Sequence, residues 1–253
     1  MKEAVLIVSF GTTHLDTLEK TIAAVERDVQ TAYPELTCRR AFTSGIVRSR
    51  LWAQSGIRAD SVEEAFSRLA AEHFTRVTVQ PTLLIPGEEY DLLRRDVLRC
   101  AGDLEVRIGL PLLWDDADCA AIADLLHNAY PTGEGGVLLA MGHGTGHSAD
   151  GIYDRLLAHL RRRGAELCTV EGSIGFDRAI ETMCARPERR ARLVPLLLVA
   201  GDHSKNDMAG DGPESLKSRL QAAGFTVECT LRGLGELSAV RARYLRRIAA
   251  ARA

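Results

Sequence analysis

The chain has 253 residues, a length that suits two domains of roughly 125 residues each. Its 32 basic and 34 acidic side chains leave a formal charge of −2, which excludes a nucleic-acid binder that relies on a basic surface. Apolar residues make up 46% of the sequence, which excludes a disordered chain, and no apolar run approaches the roughly 18 residues of a membrane span.

Short apolar or β-branched runs alternate with amphipathic helices from one end of the chain to the other. The runs that we predict as strands cover residues 4–8, 76–80, 105–110, 136–141, 167–171, 193–199 and 226–230. Alternation of strands and helices predicts mostly parallel sheets that carry helices on both faces. The fold class is therefore predicted to be α/β.

Local signals mark several of the helices. Ser61 and Glu64 form a capping box that predicts a helix start. An apolar stripe that repeats at three and four residues predicts a single first helix. The residues of that stripe are Leu15, Leu18, Ile22, Val25 and Val29.

The second half of the chain contains a candidate linker and further helix signals. Pro213, directly after a glycine, suits the first turn of a helix. The Pro- and Gly-rich segment 130–136 separates a predicted helix from a predicted strand. We expect an N-terminal domain over residues 1–130 and a C-terminal domain over residues 131–253. The last helix, from about residue 236, can pack back on the first domain.

Cellular location is predicted from two features. The start of the chain has a short apolar run and no cleavage site typical of a signal peptide. The six cysteines show no C-x-x-C spacing, which favours reduced thiols over a thiolate metal centre or a disulfide scaffold. We therefore expect a cytoplasmic protein with neither a membrane nor a nucleic-acid partner.

The sequence contains similar segments in its two halves. Residues 9–14 (SFGTTH) match residues 142–147 (GHGTGH), and residues 81–89 (PTLLIPGEE) match residues 195–203 (PLLLVAGDH) in the same order. This pattern predicts two similar doubly wound, Rossmann-like domains whose parallel sheets face a central cleft. Ligands of such sheets bind outside the carboxyl ends of the strands.

Two imidazoles and one carboxylate stand at predicted strand ends in the second half. His143 lies between glycines after one strand, Glu171 ends the next strand, and His203 follows the third. Such a ligand set suits divalent cobalt, nickel, iron or zinc, and neutral imidazole also accepts protons. Each residue has a structural alternative as well, as a backbone-bonded histidine, a helix cap or a salt-bridge partner.

A competing interpretation comes from the glycines beside His143. Residues 144–149 (GTGHSA) fit the G-x-G-x-x-A fingerprint of dinucleotide-binding proteins, with Glu171 placed as the ribose acid at the end of the next predicted strand. The equivalent turn of the first half, residues 11–13, lacks the second glycine. The fingerprint also gives His143 and His203 no role, so a dinucleotide-binding oxidoreductase is the less favoured alternative.

Several longer motifs carry a resemblance to a known family. They are residues 8–13 (VSFGTT), 40–45 (RAFTSG), 85–90 (IPGEEY), 141–144 (MGHG), 170–172 (VEG), 198–211 (LVAGDHSKNDMAGD) and 233–236 (GLGE). In this order they resemble the anaerobic sirohydrochlorin cobaltochelatases of the CbiK type, which are class II chelatases akin in fold to ferrochelatase. The resemblance implies insertion of Co²⁺ into sirohydrochlorin or precorrin-2, with release of two protons, on the early-insertion route to cobalamin.

The resemblance also assigns roles to single residues. It implies that His143 is a metal ligand and a proton acceptor, and that Glu171 and His203 complete the metal ligands. The second glutamate of the PGEE motif is Glu89, which aligns internally with His203 and is the candidate second base. Many relatives carry a histidine where Leu83 stands, so no accessory metal or haem contact is expected there.

The implied substrate is anionic, because sirohydrochlorin carries eight carboxylates. Arg40 and Arg48 flank the segment that contains Ser44, and Thr12 and Thr13 stand at a predicted helix N-terminus, a natural anion site. We expect these five residues to bind the substrate.

The expected partners are sirohydrochlorin and Co²⁺, and no organic cofactor is expected because cobalt is itself a substrate. A homo-oligomer is compatible with the sequence. The alternative activity is insertion of Fe²⁺ or Ni²⁺ into the same macrocycle. The alternative to an enzyme is a protein that carries cobalt or a tetrapyrrole without catalysing a reaction.

Overall fold

A computed structural model describes residues 2–253 as two compact units. The first unit extends to Leu112 and also includes Gly235–Ala253, and the second unit is Leu113–Leu234. Each unit contains a four-stranded parallel sheet. The strands, numbered along the chain, are β1 Glu3–Ser9, β2 Thr37–Phe42, β3 Arg76–Pro81, β4 Glu105–Ile108, β5 Gly136–Gly142, β6 Glu166–Thr169, β7 Arg190–Pro195 and β8 Thr226–Cys229.

Ten α-helices connect and cover these strands within the described residues. They are α1 Leu15–Lys20, α2 Ile22–Ala32, α3 Gly45–Ser55, α4 Val62–Ala71, α5 Glu88–Cys100, α6 Asp116–Ala129, α7 Gly151–Arg161, α8 Phe176–Cys184, α9 Leu216–Ala222 and α10 Ser238–Arg252. The capping box predicted for α4 is confirmed, since the side chains of Ser61 and Glu64 each accept the backbone N–H of the other.

The two sheets have the same strand order. It is β2-β1-β3-β4 in the first unit and β6-β5-β7-β8 in the second, with every neighbouring pair parallel. The prediction of two similar doubly wound α/β domains is confirmed. In each sheet the winding reverses beside the first strand, so a topological switch point lies between β1 and β3 and another between β5 and β7.

The core of the first unit lies on both faces of its sheet. On one face, Leu6 and Val79 pack against Phe66 of α4 and Val97 of α5. Full burial of a side chain such as Phe66 stabilises the fold by about 1.5–3 kcal/mol. Helix α10 covers the other face with α2, and it buries Tyr244, whose Oη donates a hydrogen bond to the Thr82 carbonyl.

The second unit repeats this arrangement. Leu139 and Leu193 of the sheet pack against Met183 of α8 and Leu220 of α9. Helices α6 and α7 pack against each other, and α7 also contacts β6. In both halves, the apolar residues of the strands and helices therefore pack between the sheet and the helices that cover it.

The division into units differs from the expected boundary at residues 130 and 131. Helix α6 belongs to the second unit because it buries Cys119, Ile122 and Leu126 and packs against α7. Helix α10 belongs to the first unit, where it contacts α2, β3 and β4. Sequence composition marks the Pro- and Gly-rich segment 130–136, whereas the packing partners of the neighbouring helix decide the boundary.

Two elements of the first unit differ from the prediction. Strand β2 was not predicted, because Arg39 and Arg40 interrupt its apolar pattern at the edge of the sheet. The single first helix is divided at Thr21, whose backbone leaves the helical region with φ −118° and ψ −82°. The Thr21 hydroxyl donates to the carbonyl of Thr17 at 2.5 Å, and Leu15 stays 46% exposed.

None of the helices formed by residues 2–253 has the length and apolar character that crossing a membrane requires. The six cysteines carry free thiols, and Cys119 and Cys168 are buried. Burial raises the pKa of the Cys168 thiol far above its usual range, which keeps it protonated and unreactive.

Candidate active site

The structure brings His143 and His203 together at the switch point of the second sheet. His143 directly follows β5, and His203 stands in the loop after the neighbouring strand β7. Their ring centroids lie 4.8 Å apart, with the ring planes at 87°. The carboxyl ends of two adjacent parallel strands therefore deliver two imidazoles to one place, as the sequence pattern led us to expect.

Both imidazoles use Nδ1 for a hydrogen bond within the protein. Nδ1 of His143 lies 2.9 Å from the carbonyl oxygen of Gly144, and Nδ1 of His203 lies 2.6 Å from Oδ2 of Asp207. Since both partners are acceptors, Nδ1 carries the proton in each ring. Nε2 of each neutral ring then has a lone pair for a metal or a proton, and a carboxylate behind a histidine is a common arrangement at metal sites.

A wide helical turn positions Asp207 beside His203. Residues Ser204–Met208 form a π-helical turn in which the Ala209 N–H donates to the carbonyl of Ser204 at 3.2 Å. Ser204 and Met208 are fully buried and anchor the turn. Such turns often occur at functional sites. Sequence analysis missed Asp207, although its spacing of four residues from His203 was the available signal.

Glu171 reaches this region through its backbone. Its N–H donates to the carbonyl of His143 at 2.6 Å, beyond the end of β6. Gly144 has φ +80°, and an added Cβ would lie 1.2 Å from the Glu171 carbonyl oxygen, so only glycine fits between the two loops. The Glu171 side chain is exposed. Within residues 2–253, no three His, Cys, Asp or Glu side chains converge closely enough to form a metal-binding group.

Asp150 connects the loop of His143 to the loop of Glu171. One carboxylate oxygen accepts the N–H of Thr145 at 3.2 Å, and the other accepts the N–H of Ser173 at 2.9 Å. The carboxylate therefore spans the segments that follow β5 and β6. No motif in the sequence indicated a role for Asp150.

The buried side chain of Tyr153 packs against Gly142, where the loop of His143 begins. The side chain is 2% exposed, and a Cβ added at Gly142 would lie 2.7 Å from its ring. Burial raises the pKa of Tyr153 to about 12, although a backbone hydrogen bond from Gly144 opposes that rise. The phenol is therefore a neutral packing group against Gly142, the residue before His143, and it carries no charge at physiological pH.

In the first unit, Glu89 lies in the first turn of α5 at the carboxyl end of the sheet. Its Oε2 accepts a hydrogen bond from the Thr43 hydroxyl at 3.1 Å, and the Thr43 N–H donates to the Ser9 carbonyl at 2.9 Å. The Ser9 and Thr82 hydroxyls share a buried hydrogen bond of 2.7 Å. Hydroxyl groups thus stand at the ends of three strands of this sheet, and that of Thr43 bonds the Glu89 carboxylate.

The hydroxyl residues expected to bind substrate serve the local backbone. Thr12 Oγ1 accepts the N–H of His14 at 3.2 Å, and Ser44 Oγ caps α3 by accepting the N–H of Val47 at 3.3 Å. Thr12 is buried, while Thr13 is partly exposed.

The two expected arginines are both ion-paired. Arg40 donates two hydrogen bonds of 2.6 Å to Glu26, and Arg48 lies 3.0 Å from Glu64. Burial lowers the pKa of Arg40, but the hydrogen bond and charge of Glu26 outweigh it and raise the pKa overall. Arg40 also lines a cavity of about 550 Å³ that extends along β2. No local spacing in the sequence links Arg40 to Glu26 or Arg48 to Glu64, which are 14 and 16 positions apart.

Solved structures identify the class of the fold. SirB from Bacillus subtilis, solved with Fe³⁺, aligns over 98% of this chain and 95% of its own, with a TM-score of 0.69 at 16% identity. CbiX, described as the terminal enzyme for biosynthesis of siroheme in denitrifying bacteria, aligns over 98% of this chain and 99% of its own, with a TM-score of 0.57 at 23% identity. The fold is therefore of the chelatase class.

Sequence similarity narrows this class to one family. The sirohydrochlorin cobaltochelatase of Salmonella typhimurium is 37% identical over 250 residues, which cover 97% of this chain and 94% of that protein. The sirohydrochlorin cobaltochelatase CbiKC of Nitratidesulfovibrio vulgaris is 36% identical, covering 93% of this chain and 85% of that protein. The model of the CbiK cobalt chelatases matches residues 3–253. The chain belongs to the CbiK cobalt chelatase family.

Proposed function

We propose that this chain is a sirohydrochlorin cobaltochelatase that inserts Co²⁺ into sirohydrochlorin or precorrin-2 on the anaerobic route to cobalamin. The observation that carries the proposal is the pair of imidazoles, His143 and His203, with ring centroids 4.8 Å apart at neighbouring strand ends. Each ring holds a protein oxygen through Nδ1 and keeps Nε2 for a metal. Relatives named for this activity align with nearly the whole chain, which supports the same conclusion.

The metal must exchange water for protein ligands that hold it weakly enough to release it. In the proposal, His143 and His203 bind Co²⁺ through Nε2, and Glu171 turns its exposed side chain to neutralise part of the metal charge. Asp207 accepts the Nδ1–H of His203, which fixes the orientation of that ring and makes it a better ligand.

Two protons must leave the macrocycle as the metal enters. One Co²⁺ replaces two pyrrole N–H protons, so the net charge is conserved. As the metal moves onto the pyrrole nitrogens, Nε2 of His143 becomes free, and we propose that it takes one proton. Glu89, held by the Thr43 hydroxyl, is the proposed acceptor of the second proton.

The substrate carboxylates need donors around the site. We propose that Thr12, Thr13 and Ser44 contribute here, because they lie at the turns that begin α1 and α3. Arg40 and Arg48 are already ion-paired, so they bind a substrate carboxylate only by sharing it with their present partners. The proposal includes a cytoplasmic enzyme that uses no organic cofactor, since metal and macrocycle complete the reaction.

The test is anaerobic incubation of the protein with sirohydrochlorin and one metal at a time, followed by the change in its visible absorption. We expect Co²⁺ to be inserted faster than Fe²⁺ or Ni²⁺ at equal metal concentration. Nitrogen ligands bind nickel somewhat more tightly than cobalt, so at equal metal concentration a preference for cobalt over nickel must come from the geometry of the site. Faster insertion of Fe²⁺ or Ni²⁺ would change the assigned metal, and no insertion of any metal would refute the proposed chelatase activity.

A further inference from the structure

The cavity of about 550 Å³ along β2 lies wholly within the first unit, beside the edge strand of its sheet. Its volume is in the usual range of small-molecule sites, about 300–1,000 Å³. Two carboxylates line it, those of Glu26 and Asp60. Five guanidinium groups also line it, so the wall has a formal charge of +3, whereas the whole chain has −2. They belong to Arg27, Arg39, Arg40, Arg58 and Arg68.

The ion pairs of this cavity differ in strength. Arg40 donates two hydrogen bonds of 2.6 Å to Glu26, and both side chains are largely buried, so this pair is a fixed part of the wall. The other four arginines have side chains that are 46–61% exposed. Exposed ion pairs contribute about 0–1 kcal/mol each, so a bound anion can share these four guanidinium groups at little cost.

Arg39 and Arg58 keep hydrogen-bond donors for a ligand. A guanidinium group has five N–H donors. Arg39 donates one hydrogen bond to Glu72 at 2.7 Å, and Arg58 donates one to Glu64 at 2.9 Å. Both carboxylates lie outside the lining of the cavity. An anion inside the cavity can therefore bind the remaining donors of Arg39 and Arg58 while their ion pairs stay formed.

The open edge of β2 adds backbone donors to the same wall. The Phe42 N–H donates to the Asp60 carbonyl at 2.8 Å, on the side of β2 that faces away from β1. Successive N–H groups of a strand point to alternate sides, so the N–H groups of Arg40 and Cys38 point away from β1 as well. Both residues line the cavity. Burial raises the pKa of the Cys38 thiol to about 12, so this group is neutral and does not repel an anion.

We propose that this cavity binds a small ligand that carries two or more phosphate or carboxylate groups. Guanidinium and backbone N–H groups are the donors that recognise such oxygens. The four exposed arginines come from α2, β2, the segment before α4 and α4 itself, so they surround a ligand from several sides.

The short open edge favours a small molecule over an extended peptide. Asp60 already pairs with the carboxyl end of β2, which leaves two outward N–H groups, those of Cys38 and Arg40, for a ligand. A peptide that adds a strand to a sheet needs a longer row of such groups. The proposal goes beyond the proposed function and does not depend on it.

The experiment is calorimetric titration of pyrophosphate, citrate and acetate into wild type and two double variants at about 0.15 M salt, where distant charges are screened. One variant is Arg39→Gln with Arg58→Gln. The matched control is Arg95→Gln with Arg99→Gln, which removes two exposed arginines of α5 outside the cavity. We expect the two polyanions to bind wild type more tightly than acetate does. The cavity variant should weaken their binding by about tenfold or more, and the control should match wild type. The tighter of the two probes identifies the ligand as a phosphate or a carboxylate.

Hydrogen exchange locates the bound anion without any substitution. With pyrophosphate present, exchange at the N–H groups of Cys38 and Arg40 should slow in the wild-type chain. Thermal unfolding checks the fold of each variant, and Arg58→Gln alone, which leaves β2 unchanged, replaces the double variant if that variant unfolds.

Three results would overturn the proposal. They are no binding of either polyanion by wild type, equal loss of affinity in both double variants, and tighter binding of a hexaglutamate peptide than of pyrophosphate. The last result would make the edge of β2 a groove for acidic peptides. Because these titrations contain neither sirohydrochlorin nor cobalt, their failure leaves the proposed chelatase activity untouched.

Discussion

The Asp150 carboxylate accepts a hydrogen bond from the backbone N–H of Ser173 at 2.9 Å, across the gap between two strand-end loops. Its other oxygen accepts the N–H of Thr145, two residues after His143. One side chain therefore fixes the spacing between the segment of His143 and the segment of Glu171. Removal of either acceptor leaves a backbone donor unsatisfied and loosens that spacing.

We predict that Asp150→Ala weakens Co²⁺ binding by about tenfold, in the range found for groups that orient metal ligands. Asp150→Asn keeps one acceptor oxygen and should lie between Ala and wild type. The measurements are Co²⁺ affinity and the visible spectrum of bound Co²⁺, which reports ligand geometry. Asp154→Ala, which removes an exposed carboxylate in the first turn of α7, directly after Asp150, is the control. Equal spectra and affinities in all variants would show that Asp150 only stabilises the fold.

His143→Ala should abolish metal insertion and leave the fold intact. The residue follows a strand and is only partly buried, so it contributes little packing, while loss of a catalytic base typically lowers rates by about 10²–10⁴. Insertion rate and thermal unfolding are measured together. His127→Ala, an exposed imidazole near the end of α6, is the matched control. Activity of His143→Ala within about threefold of wild type would remove His143 from the mechanism.

Much of this arrangement was readable from the sequence, for a physical reason. Buried parallel strands appear in a sequence as continuous apolar runs, and a polar residue in the segment that follows such a run lies near the carboxyl edge of the sheet. That rule placed His143 and His203 near each other. It failed for β2, where Arg39 and Arg40 lie on an edge strand and remove the apolar signal.

The contacts that orient the site residues could not be predicted from the sequence, because they depend on loop geometry. Asp150 and Ser173 are 23 positions apart, and Arg40 and Glu26 are 14 apart, so no local spacing links them. The spacing of four residues between His203 and Asp207 was visible in the sequence. Their contact, however, depends on a π-helical turn that composition does not indicate. Sequence patterns therefore identify strand-end groups, whereas the residues that orient them require coordinates.

Nucleotide binding tests the alternative interpretation of the chain as a dinucleotide-binding oxidoreductase. Beside Gly144, where a pyrophosphate would approach, the Glu171 carbonyl oxygen would lie 1.2 Å from an added Cβ. We therefore predict that NAD and NADP leave the thermal midpoint unchanged at millimolar concentration. A bound nucleotide at a hundred times its Kd would add about 2.7 kcal/mol to the free energy of unfolding. A clear rise in the midpoint would favour the oxidoreductase alternative.

The capping box of α4 predicts an acid-dependent loss of stability. Hydrogen bonds from the Ser61 backbone and from Arg58 lower the pKa of Glu64 from 4.5 to about 2. A lowered carboxyl pKa stabilises the folded state above pH 4.5, and this contribution is lost as the pH falls toward 2. We expect Glu64→Gln to cost about 0.5–1 kcal/mol near neutral pH, a modest value because the side chain is 37% exposed.

The measurement for Glu64 is urea unfolding of wild type and Glu64→Gln across a pH series. The difference between their free energies of unfolding should be constant above about pH 5 and shrink as the pH approaches 2. Glu63→Gln, an exposed neighbour in the same helix turn, is the control. A difference that does not change with pH would mean that the carboxylate charge is not what stabilises the cap.

The hydrogen bond between His203 and Asp207 predicts coupling between cobalt binding and proton release. Metal and proton compete for Nε2 of the ligand histidines, so in a mildly acidic buffer, where part of the imidazoles is protonated, Co²⁺ binding should release protons. His203→Ala should reduce that release and weaken Co²⁺ binding while sirohydrochlorin affinity stays nearly unchanged. Asp207→Asn keeps the imidazole but loses the carboxylate that orients it, and should weaken Co²⁺ binding by about 10–100-fold.

Calorimetric titration of Co²⁺ in two buffers with different ionisation enthalpies measures both the affinity and the number of protons released. Asp202→Asn, a change to an exposed carboxylate next to His203, controls for loss of negative charge in the loop. If His203→Ala releases as many protons as wild type with the same affinity, His203 is not a ligand and its role is structural. If Asp202→Asn weakens binding as much as Asp207→Asn, the loop attracts the metal by charge, and the hydrogen bond to His203 does not orient a ligand.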